Sequence, residues 1–315
     1  MLEAKTVGMN QKDMTNFPRV LWRVITFPFV LLFNILSFPI RSLRRFYRFL
    51  NSEPEEQPLT DTVAGLISDE KIRQQLWDQI DVLRIHLLRA VIWLAIGTGI
   101  SFAFTQQIIE FLAIPVGGLN QLKAIEVTEP ISVYMRAALL SGIILSLPFV
   151  IFEFWWFAAP GLKPRERKFT LIGIPVAALL FIAGVTFTYF VLLPPALPFL
   201  LNFMGIQTEL RPSSYFGFVT SLMFWIGLFF EFPLVIYILS SIGWVRPQIL
   251  LQQWRLAIVI ISIIAAVITP TIDPVNMGLV MLPMIFLYFV SIGLSYVAYA
   301  GRQRKAMSEV TDSGS

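Results

Sequence analysis

Glu166 is the single carboxylate in the run Pro160–Lys168 (P-G-L-K-P-R-E-R-K), where Lys163, Arg165, Arg167 and Lys168 surround it between two long apolar segments. Basic residues beside an apolar span draw the chain to an anionic membrane surface. A carboxylate in that setting offers something different, a bidentate partner for a guanidinium. A second acid, Glu231, lies deep in another apolar segment, I-G-L-F-F-E-F-P. A charge at mid-bilayer on a helix costs about 2.5–3.5 kcal/mol, so this group must be neutral, paired or facing a wet cavity. Pro233, two residues on, weakens the helix and frees a backbone carbonyl. Glu231 therefore reads as a polar contact for another transmembrane helix, or as a protonated acid buried in the bundle.

Other polar residues admit blander readings. Glu153, in F-V-I-F-E-F-W-W-F, belongs either to an interfacial aromatic belt or to a carboxylate snorkelling to the surface. Arg136 reads as an interface anchor, with an ion-pathway residue as the alternative. Asp78, Asp81 and Arg84 follow at steps of three, sharing one helical face. They form either a solvated first turn or an acidic patch near Glu166. His86 beside them reads as an interfacial residue outside the bundle. Asp273, in T-I-D-P, has the position of a helix cap.

Enzymatic chemistry finds no residues to work with. The chain has no cysteine and one histidine, which excludes disulfides, thiolate chemistry and Cys- or His-rich metal sites. No phosphate-binding glycine loop and no zinc-ligand spacing occurs. A membrane serine protease would need Ser and His paired inside the bundle. The expectation is a non-enzymatic protein without cofactor or metal. Nucleic acid is not an expected partner, because the basic residues flank apolar spans.

The elements that must position these groups follow from composition. Of 315 residues, 56% are hydrophobic and 14% charged, and the mean hydropathy is +0.72. That balance describes a polytopic membrane protein with short loops. A helix needs about 20 apolar residues to cross a hydrocarbon core. Six segments approach this: Leu87–Phe104, Ile131–Phe157, Phe169–Leu193, Tyr215–Ile242, Arg255–Ile268 and Met277–Ala300. The fifth is short and requires local bilayer thinning or shielding by neighbours. Arg84, Arg89, Lys163, Arg165, Arg167, Lys168, Arg246, Arg255, Arg302, Arg304 and Lys305 fall on one side of these spans, and Lys123, Arg136 and Arg211 on the other. The positive-inside rule then places both ends of the six-span unit in the cytoplasm.

The expected fold is all-α, with six transmembrane helices and an N-terminal interfacial or re-entrant helical extension. The domains read as 1–50, the extension; 51–76, an acidic flexible linker carrying Glu53, Glu55 and Glu56; 77–305, the six-span unit; and 306–315, a cytoplasmic tail. In the extension, Val24–Ile40 is apolar and uncharged, but Pro28 and Pro39 divide it. A seventh span and a signal segment are alternatives to interfacial packing. Arg41, Arg44, Arg45 and Arg48 lie on one helical face, a site for anionic lipid.

From about Trp77 to Lys305 the order of features resembles TatC, the multispanning subunit of the twin-arginine protein translocase. L-R-I-H-L-L at Leu83–Leu88, F-A-A-P-G-L-K-P-R-E-R at Phe157–Arg167, F-E-F-P at Phe230–Pro233 and T-P-T-I-D-P at Thr269–Pro274 carry the likeness, with Pro115 in the first outer loop. The resemblance implies a receptor and scaffold that recognises twin-arginine signal peptides of folded cargo, and export driven by the proton-motive force. It implies single-span TatA- or TatB-type subunits as partners, and a homo-oligomer within the complex. Glu166 matches the signal-binding acid, with Phe157, Asp81 and Arg84 around it. Glu231 and Pro233 match the partner-helix contact, and Pro115 and Asp273 the outer-loop positions. One departure stands out: Val82 occupies the place of a second carboxylate, beside Asp81. Two other readings follow from the residues: a proton-coupled transporter of a small solute using Glu231 and Glu153, and a scaffold with impaired signal recognition.

Overall fold

The computed structural model describes residues 50–51, 70–201, 209–269 and 274–313. Val24–Ile40, the arginine cluster with its lipid expectation, most of the acidic linker, and Asp273 lie outside the described residues. Two units are distinguishable, Met1–Pro54 with Lys163–Arg165, and Glu55–Leu162 with Glu166–Ser315. In the first, Leu50 and Asn51 are helical.

The described chain is helical, with no strand among the described residues. In order, its elements are α1 (Glu70–Ser101), α2 (Thr105–Ala113), α3 (Glu129–Ala158), α4 (Pro164–Phe187), α5 (Leu193–Leu201), α6 (Pro212–Phe230), α7 (Phe232–Ile242), α8 (Pro247–Gln252), α9 (Trp254–Ile268) and α10 (Pro274–Ser313). Prolines write many of the starts. Pro164, Pro212, Pro247 and Pro274 each open a helix, where the missing N–H is one the helix would leave unbonded anyway. α1 begins at Glu70 and α10 runs to Ser313, so parts of the expected linker and tail are helical.

Five stretches are long and apolar enough to cross a membrane: Trp77–Val116, Glu129–Gly161, Pro164–Leu201, Pro212–Ile242 and Pro274–Gln303. The sixth apolar helix, α9, has 15 residues and rises only about 22 Å. Three of the other spans, Trp77–Val116, Pro164–Leu201 and Pro212–Ile242, are interrupted rather than shortened. A 3-10 turn, Phe102–Phe104, joins α1 to α2. A π-helical segment, Thr188–Leu192, joins α4 to α5, just ahead of Pro194 and Pro195 in the first turn of α5, which offer no N–H to carry the α4 ladder onward.

Small residues let helices meet closely where lipid supplies no hydrophobic drive between them. A Cβ on Gly97 of α1 would lie 2.7 Å from the Gly142 carbonyl of α3, and one on Gly184 of α4 would lie 2.8 Å from Gly227 Cα of α6. The backbones therefore touch at both crossings. Phe181, Phe216, Leu193, Leu222, Ile226 and Met284 are fully buried and fill the centre of the larger unit. On α1 the buried residues His86, Ala90, Gly97 and Ser101 recur at helical spacing and form one stripe against α3.

Candidate functional site

The turn between α3 and α4 presents Phe157 and Glu166. Phe157 lies half-buried in the last turn of α3, the chain reverses through a 3-10 turn at Ala159–Gly161, and Glu166 follows, half-buried, in the first turn of α4. A carboxylate there is favoured by the N-terminal end of the helix dipole. Arg167, which the sequence reading counts only as a loop cation, is 2% exposed. Its Nε donates to the Ala159 carbonyl at 2.5 Å and its guanidinium donates to the Pro160 carbonyl at 3.1 Å. Trp155 Nε1 donates to Thr170 Oγ1 at 2.9 Å, and that hydroxyl donates to the Glu166 carbonyl at 2.8 Å. These bonds lace the end of α3 to the start of α4, so Phe157 and Glu166 are held at a set separation. Trp155 is buried in this lacing, not spread along an interface.

On α1, Asp81 and Arg84 are exposed, as is Val82 at 42%. His86 corrects the reading of an interfacial residue outside the bundle. It is 8% exposed, and its Nδ1 donates to Glu153 Oε2 at 2.7 Å. Glu153, 9% exposed, is neither a snorkelling group nor part of an aromatic belt. Burial explains both corrections, because a polar group removed from water must find a partner inside. The His86 ring also lies 6.3 Å from Phe157, centroid to centroid. The only sequence signal for this pair is the stripe of small residues that continues from His86 along α1.

Glu231 forms the single turn between α6 and α7. Pro233 is buried at the start of α7. Oε1 of Glu231 is buried with no hydrogen-bond partner among the described residues. Its side chain lines a groove of about 430 Å³ with Trp225, Phe229, Phe232, Ile263 and Val267, between α6–α7 and α9.

At the other end of α3 lies a cluster that sequence reasoning missed. Arg211 donates from Nε to Glu129 Oε1 at 2.8 Å and from its terminal nitrogen to Glu126 Oε1 at 2.8 Å. Glu129 is 2% exposed. Its hydrogen bonds to the Glu129 and then the Glu126 carboxylate hold the Arg211 guanidinium above its ordinary range. Lys123, on the same loop, pairs with Glu209 at 2.5 Å and bonds through its backbone N–H to the Leu210 carbonyl. Pro115 lies half-buried in the 3-10 turn Ile114–Val116 and lines a second, apolar groove with Phe111, Tyr189 and Phe190. Among the described residues, no group of three acidic or histidine side chains could hold a metal ion.

A family model described as Sec-independent protein translocase protein (TatC) matches residues 78–283. The chain belongs to the TatC family. The TatC protein of Deinococcus radiodurans is 36% identical over 249 residues, covering 76% of this chain and 92% of that relative. That of Carboxydothermus hydrogenoformans is 35% identical, covering 69% and 90%. A solved structure described as the twin-arginine translocase receptor TatC aligns with a TM-score of 0.63 at 32% identity, over 70% of this chain and 99% of that one. With its apolar helices, the chain is a multi-pass plasma-membrane protein of a protein translocase. The matched region of the TatC family begins at Asp78 and so contains Asp81, Phe157, Glu166 and Glu231.

Proposed function

We propose that this chain is the signal-peptide receptor and scaffold of a twin-arginine translocase, with Glu166 as the acid that takes the paired guanidinium groups. The observation that carries this is the braced α3–α4 turn. Arg167 and Thr170 hold its backbone, and Glu166 stands in the first turn of α4 beside Phe157. A preset carboxylate loses little freedom on binding, and a guanidinium engages it through two parallel bonds that lysine cannot reproduce. Asp81 and Arg84, exposed on α1, line the same end of the bundle and complete the peptide site. Lysines and arginines concentrate at this end, which makes it cytoplasmic, with both ends of the six-span unit on that side.

Glu231 serves a second contact. Its buried, unpartnered oxygen faces an apolar groove of helix-like character, and a single-span TatA- or TatB-type subunit carrying one polar side chain fits that chemistry. Pro233 keeps the α6–α7 turn open. Pro115 and Asp273 belong to the outer loops, the extension's arginines to anionic lipid, and the complex contains several copies of this chain. Family membership does not favour solute transport, and the proton-motive force acts on assembly without chemistry on this chain.

The test is binding of a signal peptide bearing paired arginines, against its paired-lysine counterpart, to the purified protein. The arginine peptide binds at least about tenfold tighter, and Glu166→Ala removes that binding while the protein still inserts. Equal affinity for both peptides defeats the receptor reading. Val82→Glu measures what the missing second carboxylate is worth.

A further inference from the structure

His86 closes the buried stripe of α1. From His86 inward, Ala90, Gly97 and Ser101 are all buried; one turn outward on the same stripe, Val82 is 42% exposed. The same change occurs on α3. Glu153 is buried, and one turn on, Phe157 is half-buried. Consecutive spans run in opposite directions, so the exposed turn of α1 and the Phe157 turn of α3 lie beyond the same point, the His86–Glu153 bond. Val82 and Phe157 therefore lie at the same end of the α1–α3 pair, past that bond.

Two features make the bond a determinant of how those two turns are spaced. It is a buried, directional polar contact at this end of the α1–α3 crossing, at 2.7 Å between groups 67 residues apart. Inward from it the helices touch through glycine and serine, with Gly97 against Gly142 and Ser101 bonded to Ser141. Those contacts set how closely the helices approach in the bundle interior, and rotation and sliding at the Phe157 end depend on the contacts nearest that end. A buried imidazole–carboxylate bond fixes both, because a shift of one ångström leaves two polar groups unpaired in an apolar setting. The imidazole also stands 6.3 Å from the Phe157 ring, tilted by 59°, so a shift of α1 would carry the histidine past that ring.

We propose that His86 and Glu153 are positioning residues, an internal clasp that sets the spacing and register of α1 against the Phe157 turn and so the width of the signal-peptide cleft. The inference rests on the receptor reading above and adds to it two residues that touch no peptide.

The experiment measures affinity of the full-length, detergent-purified protein for a twin-arginine signal peptide, together with its thermal midpoint. Glu153→Gln keeps an acceptor for the imidazole N–H and binds within about twofold of the parent. His86→Leu with Glu153→Leu replaces the pair by apolar side chains, a change that spares stability when both partners go together. It keeps the thermal midpoint and weakens peptide binding about tenfold. Phe157→Ala alone weakens binding by a similar factor. Combined with the double leucine variant, it costs no more than about twofold further, since coupled residues are non-additive. Should the double variant fail to fold, Glu153→Asp carries the test. It keeps the carboxyl group but withdraws it by one methylene, and about threefold weaker binding is expected. Parental affinity in the double leucine variant, or in Glu153→Asp where that variant stands in, overturns the clasp, as do losses that multiply with Phe157→Ala. Normal binding by Phe157→Ala overturns both the clasp and the place of Phe157 in the receptor site. Loss of Arg-over-Lys discrimination in the parent protein strikes the receptor reading itself.

Discussion

The tripeptide Phe-Glu-Phe occurs twice in this chain, at Phe152–Phe154 and Phe230–Phe232, inside apolar segments of similar character. The two glutamates meet opposite fates. Glu153 sits within the continuous helix α3, is 9% exposed, and accepts a bond from His86 on the neighbouring helix. Glu231 sits in a one-turn break ahead of Pro233, and one of its oxygens is buried without a partner among the described residues. The first carboxylate is satisfied inside the chain and ties two helices together. The second faces a groove and is suited to a donor from another chain. A buried acid is thus no single kind of signal; what decides its role is whether a neighbouring helix brings a donor to it.

The contrast can be broken in four ways. Glu153→Ala leaves His86 buried and unpaired, and removal of one partner from such a pair costs about 3–5 kcal/mol. Thermal unfolding in detergent should show a large drop, and an unchanged midpoint would mean the clasp holds nothing. Arg167→Lys loses the forked grip on the Ala159 and Pro160 carbonyls. Hydrogen bonds from charged groups are worth about 1.5–3 kcal/mol, so the same assay should register a smaller loss, accompanied by weaker peptide binding. Glu231→Leu runs the other way. It removes an unsatisfied polar atom, and stability stays level or rises by up to about 1 kcal/mol, while co-purification of single-span partner subunits falls and peptide affinity does not. A stability loss there would reveal an internal partner for Glu231 and erase its difference from Glu153. Lys123→Ala should do least. Its pair with Glu209 is about 70% exposed on both sides, and such pairs contribute about 0–1 kcal/mol.

Much of the fold was legible before any coordinates. Apolar segment lengths identify the spans, including the short α9, because hydrocarbon thickness sets a minimum that helix rise converts directly into residues. Helix starts were less legible: the apolar runs begin at Phe169, Tyr215 and Met277, while the helices open earlier, at Pro164, Pro212 and Pro274, because a polar first turn leaves no mark in hydropathy. The motif around Glu166 was legible too, since a lone acid among four cations is a feature of composition. The His86–Glu153 pair was not legible. Its members are 67 residues apart, and each alone resembles an ordinary interface residue. Arg211 likewise looked like a loop charge until the fold brought Glu126 and Glu129 to it.

The sequence by itself determined that this protein lives in a membrane, which segments are apolar enough to cross it, and which acids are too costly to be accidental. All of that follows from transfer free energies and backbone geometry, which act residue by residue. Only the tertiary structure decided which of those acids is paired and which is left facing a groove. It also decided that a guanidinium counted as a surface charge, that of Arg167, is buried and braces the turn carrying Glu166. Pairing depends on which helix faces come together, and that choice belongs to the whole bundle, made where Gly97 meets Gly142 and Gly184 meets Gly227.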